Sequence, residues 1–113
     1  MKEWNGELLY KDKTYKLYFN LNVMESIQEA FGSLEEWGKL TGKAEPDAKA
    51  VITGFTFMIN EGIDIENEDN GTDIKPLTHK QVGRMITEIG LKNAQSTLEE
   101  TVVESTKSTE KNA

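Results

Sequence analysis

The chain has 113 residues, enough for one domain with a single core but not for two. Its net charge of -7, with Arg84 the only arginine, argues against a nucleic-acid partner, which needs a Lys/Arg surface to displace phosphate counterions. The lack of cysteine excludes a disulfide framework and any thiolate site, and no stretch, MKEWNGELLY included, has an apolar run of signal-peptide or membrane-spanning length. A soluble protein with no membrane partner, working in the compartment where it is made, is therefore expected.

Leu8 and Tyr10 alternate with Glu7 and Leu9, and beyond Lys11-Asp12-Lys13 the alternation resumes with Tyr15, Leu17, Phe19 and Leu21 on one side. Lys16, Tyr18 and Asn20 then face the other way. Two such runs joined by a polar turn containing Asp predict an antiparallel hairpin over residues 6–21. A two-stranded ribbon needs its apolar face covered, and the segment that follows can cover it.

With Asn22 as cap, a helix is predicted over 22–31, its stripe made by Met24, Ile27, Phe31 and Leu34 with Val23 and Ala30 beside them. Gly32 tolerates the left-handed conformation that ends a helix, and Ser33 with Glu36 has the spacing of a capping box, so a short second helix is expected over 33–41. It would turn Trp37 and Leu40 inward. Pro46 and Asp47 read as the first turn of the strongest helix, 46–61, with Ala48, Val51, Ile52, Phe55, Met58 and Ile59 on its stripe. Ala50, Gly54 and Phe57 widen that stripe, which marks this helix as central. Gly54 is read as a point where another backbone comes close.

From Asn60 to Pro76 the sequence turns to Asp, Glu, Asn and Gly, which predicts a loop with Ile63 and Ile65 tucked inward. Glu66, Glu68, Asn70 and Gly71 match the first, third, fifth and sixth places of a calcium loop, but the last place holds Leu77 where a bidentate Glu is required. A calcium-responsive protein using residues 64–77 is thus one alternative. The competing reading is a solvated acidic loop.

Thr78 with Gln81 forms a second capping box ahead of a helix over 78–89, with Val82, Met85, Ile86 and Ile89 on one side. His79 stands alone in its first turn and reads as a surface residue. After Gly90 a weaker amphipathic helix over 91–104 runs through Leu91, Ala94, Leu98 and Val102. Residues 105–113, which lack periodicity, are expected to be a disordered tail. The fold class read from these elements is α+β: an N-terminal antiparallel β-hairpin packed on four to five α-helices, with 1–104 as a single domain.

No phosphate-cradling glycine loop, nucleophile elbow or histidine pair occurs. Paired carboxylates such as Glu35-Glu36 and Glu99-Glu100 are adjacent on helices and do not face one another. The expectation is a protein without catalytic, cofactor or metal residues, acting by binding.

Tyr15 to Leu21, followed by Asn22, Met24, Ile27, Glu29, Phe31, Gly32, Ser33, Leu34 and Trp37, resembles the tail assembly chaperones of long-tailed phages and prophages of Gram-positive bacteria. The pattern covers about a fifth of the chain, the later helices agree only in kind and placement, and the acidic stretch from Ile63 to Ile74 has no counterpart in it. The resemblance implies a non-enzymatic protein of the bacterial host cytoplasm, bound to the tape measure protein and tail tube subunits during tail morphogenesis and absent from the mature virion. A structural head-tail connector or minor tail protein is the rival within phage biology.

An assembly surface needs apolar groups left over once the core is closed. Tyr18 on the outer face of its strand, Phe57 off the main stripe, and Leu91, Leu98 and Val102 on the last helix are the candidate partner-binding residues. The competing reading is that all of them complete the core. Self-association through the hairpin edge or the last helix is left open.

Overall fold

The computed structural model describes residues 4–112, and the side chains of residues 4–107. The fold is α+β, an N-terminal two-stranded antiparallel hairpin followed by five helices. Strands β1 (Gly6–Tyr10) and β2 (Lys13–Leu17) pair with Leu8 opposite Tyr15 and Glu7 opposite Lys16. Lys11 and Asp12 form the two-residue turn, both at positive φ (48° and 64°), the geometry that matches the twist of the strands it joins.

The helices are α1 (Leu21–Phe31), α2 (Leu34–Thr41), α3 (Ala48–Asn70), α4 (His79–Ile89) and α5 (Leu91–Asn112). Helix α3 is central, touching β2, α1, α2, α4 and α5. Its Val51, Phe55, Met58 and Ile59 meet Leu8 and Leu17 of the hairpin, Val23 and Ile27 of α1, Val82 and Ile86 of α4, and Leu98 of α5 in one core. The Trp37 indole stacks on Phe19 with ring centroids 5.9 Å apart, and its Nε1–H donates to the Ala50 carbonyl oxygen at 3.0 Å. Burying an indole requires such a partner for its N–H.

Several boundaries differ from the sequence prediction. The second strand stops at Leu17 instead of running to Leu21. The Tyr18 N–H points away from β1 to the Met58 carbonyl (3.4 Å), and the Phe19 N–H, the next one due to face β1, is taken by Asn5 Oδ1 (2.8 Å), so the ladder does not continue. Tyr18 and Phe19 are both buried as the chain crosses from hairpin to helix. Leu21, predicted to face inward, begins α1 and is 79% exposed, and the cap is Asn20, whose side chain accepts from the Val23 N–H at 3.2 Å. Ala30 faces solvent.

Pro46 precedes α3 and is buried, while Asp47 is the cap itself and accepts from the Ala50 N–H at 3.0 Å. Helix α3 continues to Asn70, nine residues past the predicted end. Glu favours helix and Asp and Asn are weak formers but not breakers, and Ile59 and Ile63 keep contact with the core at i, i+4. Only Gly71, left-handed at φ 65°, ends the helix. Glu66, Glu68 and Asn70 therefore lie on helical backbone and do not form the calcium loop their spacing suggested.

Helix α5 runs past the predicted end at 104 to Asn112, with Ser105, the first residue of the predicted tail, on its buried side; Ala113 lies outside the described residues. The buried stripe of α5 runs Ala94, Leu98, Thr101, Ser105, and its last two members are polar, which hid the periodicity. Their hydroxyls donate to carbonyls of the same helix, Thr101 to Thr97 (2.8 Å) and Ser105 to Val102 (2.6 Å), so both can be buried at little cost. Thr101 packs where a side chain at Gly6 would have to be.

The capping box at Thr78 and Gln81 forms as expected, with both reciprocal bonds present. At Ser33 the hydroxyl accepts from the Glu36 N–H at 3.0 Å, while the Glu36 carboxylate approaches Lys39 at 3.6 Å. Gly54 does admit a close neighbour, but it is the Trp37 indole and not a backbone.

Candidate functional site

The candidate partner-binding residues fall mostly inside. Tyr18 is buried, its ring alongside Gly62 of α3, and Leu98 is almost fully buried. Their assignment to an outer surface is corrected: the strand ends before Tyr18, so alternation no longer sets its direction, and Leu98 lies on the docked stripe of α5. Phe57, Leu91 and Val102 are half-buried and pack against the core. The next residue, Val103, is the one that faces outward, in a shallow depression with Glu99, Glu100, Glu104 and Lys107.

A different surface brings aromatic and aliphatic groups together with charged ones. Between β2 and the last turns of α3 lies a groove of about 280 Å³. At Gly62 the helix comes so close to β2 that a Cβ would lie 2.8 Å from the Lys16 carbonyl oxygen, and the groove lies beside that contact. Tyr15, Tyr18, Ile59 and Ile63 line its inner part and Ile74 its far end, while Trp4, Lys13 and Lys16 stand on the hairpin side against Glu66, Asp69 and Asn70 on the helix side.

The hairpin side is ordered by side-chain contacts. Lys16 Nζ sits 4.1 Å from the centroid of the Trp4 ring, and the Trp4 Nε1–H donates to Glu7 Oε2 at 3.0 Å. Lys13 Nζ lies 5.0 Å from the Tyr15 ring centroid. Such pairings hold a cation over an aromatic face without neutralising it. A two-residue turn makes Tyr10 and Lys13 a hydrogen-bonded pair, so by alternation the N–H and C=O of Thr14 point away from β1 toward the groove.

The opposite end is built by two asparagines. Asn60 Nδ2 donates to the Leu77 carbonyl (2.9 Å) and its Oδ1 accepts from the Leu77 N–H (2.8 Å). Two turns along α3, Asn67 repeats the arrangement on Ile74 at 3.0 and 2.9 Å, with the Thr72 hydroxyl also donating to its Oδ1. The carboxamide mimics a peptide group, so the segment from Thr72 to Thr78 is strapped along the helix as if against a neighbouring strand. This places Ile74, 37% exposed, at the groove mouth.

Chemically the groove offers an aromatic and aliphatic floor, rims of opposite sign, and a strand edge at which the Thr14 backbone groups point outward. Among the described residues no three His, Cys, Asp or Glu side chains come together to hold a metal ion, and His79 is exposed on α4. The residues overlooked from sequence are Trp4, Ile63 and Ile74. The seven-residue spacing of Asn60 and Asn67 was the signal available, since it is two helical turns and places both side chains on one face. No helix of the described residues is long and apolar enough to cross a membrane. Comparison with protein-family models, curated proteins and solved structures gave no match to this chain.

Proposed function

We propose that this protein is a non-enzymatic assembly chaperone of phage tails. It acts in the cytoplasm of a bacterial host, binds the tape measure protein and tail tube subunits while the tail is built, and is left out of the finished particle. The support from sequence is the run from Tyr15 to Trp37, where a strand passes into a helix interrupted at Gly32-Ser33. The observation that carries the reading is the groove, a half-open surface of mixed apolar and charged lining beside a strand edge, suited to holding a segment of another chain.

The test is co-expression with the tape measure protein of the same phage genome. A complex that co-purifies with the full chain and is weakened by Ile74→Asp, which places a charge at the groove mouth, supports the assignment. Thr14→Pro removes an N–H that points outward while leaving the β1–β2 ladder intact, and is expected to weaken the same complex. Undiminished binding by both variants removes the groove from the interface. Abundant copies of the protein in purified virions overturn the chaperone reading in favour of a structural tail component.

A further inference from the structure

The sequence contains two Asn-Gly pairs, Asn5-Gly6 and Asn70-Gly71, and the fold treats them in opposite ways. In this dipeptide the glycine nitrogen, unhindered by any side chain on its own residue, can attack the asparagine carboxamide. Whether it does so depends on how firmly the backbone and the amide are held.

Asn5-Gly6 is held at every point. Asn5 Oδ1 accepts from the Phe19 N–H at 2.8 Å, the Asn5 N–H donates to the Leu17 carbonyl at 2.8 Å, and Gly6 lies in β1 opposite Leu17 with Thr101 packed against it. At Asn70-Gly71 the groups that take part in the reaction are not held, although the Asn70 backbone belongs to α3. Asn70 is exposed in the last turn of α3, and among the described residues its carboxamide has no hydrogen-bond partner. The cap N–H groups of Gly32, Gly42 and Gly90 each donate to a carbonyl four residues back, whereas that of Gly71 makes no such bond. Gly71 sits at φ 65°, ψ 27°, with open space around the position a Cβ would take.

We propose that Asn70 is a site of spontaneous deamidation in the folded protein. The Gly71 backbone nitrogen forms a bond to Asn70 Cγ, the Cγ–Nδ2 bond breaks, and ammonia leaves with the proton lost by the Gly71 amide. The resulting succinimide is opened by one water molecule at either carbonyl, to aspartate or to isoaspartate. The balance is one water consumed and one ammonia released, with no enzyme, oxidant or cofactor.

The position gives the reaction a consequence. A new carboxylate would stand beside Asp69, close in sequence to Asp73, and at the C-terminal end of a 23-residue helix, where the aligned carbonyls already disfavour negative charge. The isoaspartate product also adds a backbone carbon between residues 70 and 71, which the left-handed cap cannot absorb. The turn affected carries Asp69 and Asn70 on the groove wall and lies next to Asn67, which holds Ile74 in place. Deamidation therefore loosens one end of the groove over time, whatever occupies it.

The test is peptide mapping by mass spectrometry of the full chain incubated at mildly alkaline pH, folded and in urea. Both pairs are expected to convert at similar rates in urea, and folding is expected to slow Asn5 strongly while leaving Asn70 several-fold faster. Conversion of Asn5 at the rate of Asn70 in the folded chain, or protection of both, would overturn the proposal. Asn70→Gln keeps the amide but disfavours the ring closure, and should abolish the conversion at that site. Asn70→Asp should unfold at a lower temperature than Asn70→Gln, and equal midpoints would refute the structural consequence.

Discussion

Gly54 and Gly38 both lie inside helices, and an alanine at each is expected to act in opposite directions. A Cβ at Gly54 would sit 2.7 Å from Cζ2 and 3.1 Å from Nε1 of Trp37, so the indole must shift. That indole is 4% exposed, stacked on Phe19 and bonded to the Ala50 carbonyl, and a shift large enough to relieve the overlap breaks the bond. Overpacking costs about 1–3 kcal/mol and a buried N–H without its partner about 1–3 kcal/mol, against about 1 kcal/mol gained in helix propensity, so Gly54→Ala should be destabilising by about 1–5 kcal/mol. A Cβ at Gly38 meets nothing within 4 Å, so Gly38→Ala keeps the propensity gain alone and should be stabilising by up to about 1 kcal/mol. Urea unfolding followed by far-UV circular dichroism measures both, and near-UV circular dichroism reports the packing of Trp37. Equal stability of the two variants would refute the argument that Gly54 exists to seat the indole.

Leu98→Ala should cost about 2–5 kcal/mol, because the side chain is almost fully buried, while Val103→Ser on the outward side of α5 should stay within about 0.5 kcal/mol. Reversed effects in thermal unfolding would mean that α5 docks by its other face. Asn60→Ala removes two hydrogen bonds that hold Leu77 and should cost about 1–3 kcal/mol, whereas Asn67→Ala, in exposed surroundings, should cost less than about 1 kcal/mol. In hydrogen exchange, Asn67→Ala should speed exchange of the Ile74 amide and leave that of Leu77 unchanged; equal effects on both would show that the strap moves as one piece.

Much of the core follows from spacing. The recurrence of Val51, Phe55, Met58 and Ile59 identifies the central helix, the alternation around Lys11-Asp12 identifies the hairpin, and Gly32-Ser33 and Thr78-Gln81 mark helix ends through local bonds that involve only neighbouring residues. These are properties of the chain's own periodicity and capping chemistry, so they can be read without knowing what packs against what. The candidate site was less legible. Tyr18 and Leu98, chosen from sequence as surface groups, are in the core, and Trp4, Ile63 and Ile74 emerge at the groove instead.

The reason lies in interactions between distant residues. Whether Tyr18 turns in or out depends on Met58 and Gly62, some forty residues away in sequence, and the strand's own alternation carries no information about them. The acidic run after Asn60 reads as loop because its composition is polar, yet it is helical because Ile63 reaches the core and no breaker intervenes before Gly71. Thr101 and Ser105 extend α5 because their hydroxyls can be satisfied within the helix, and β1, with glycine at position 6, leaves room for Thr101. The chain thus determined by itself which segments are strand or helix, its hairpin and most of its helix starts. Where the strand and the two longest helices end, which side of α5 is buried, and the groove between β2 and α3 were decided only when the elements met.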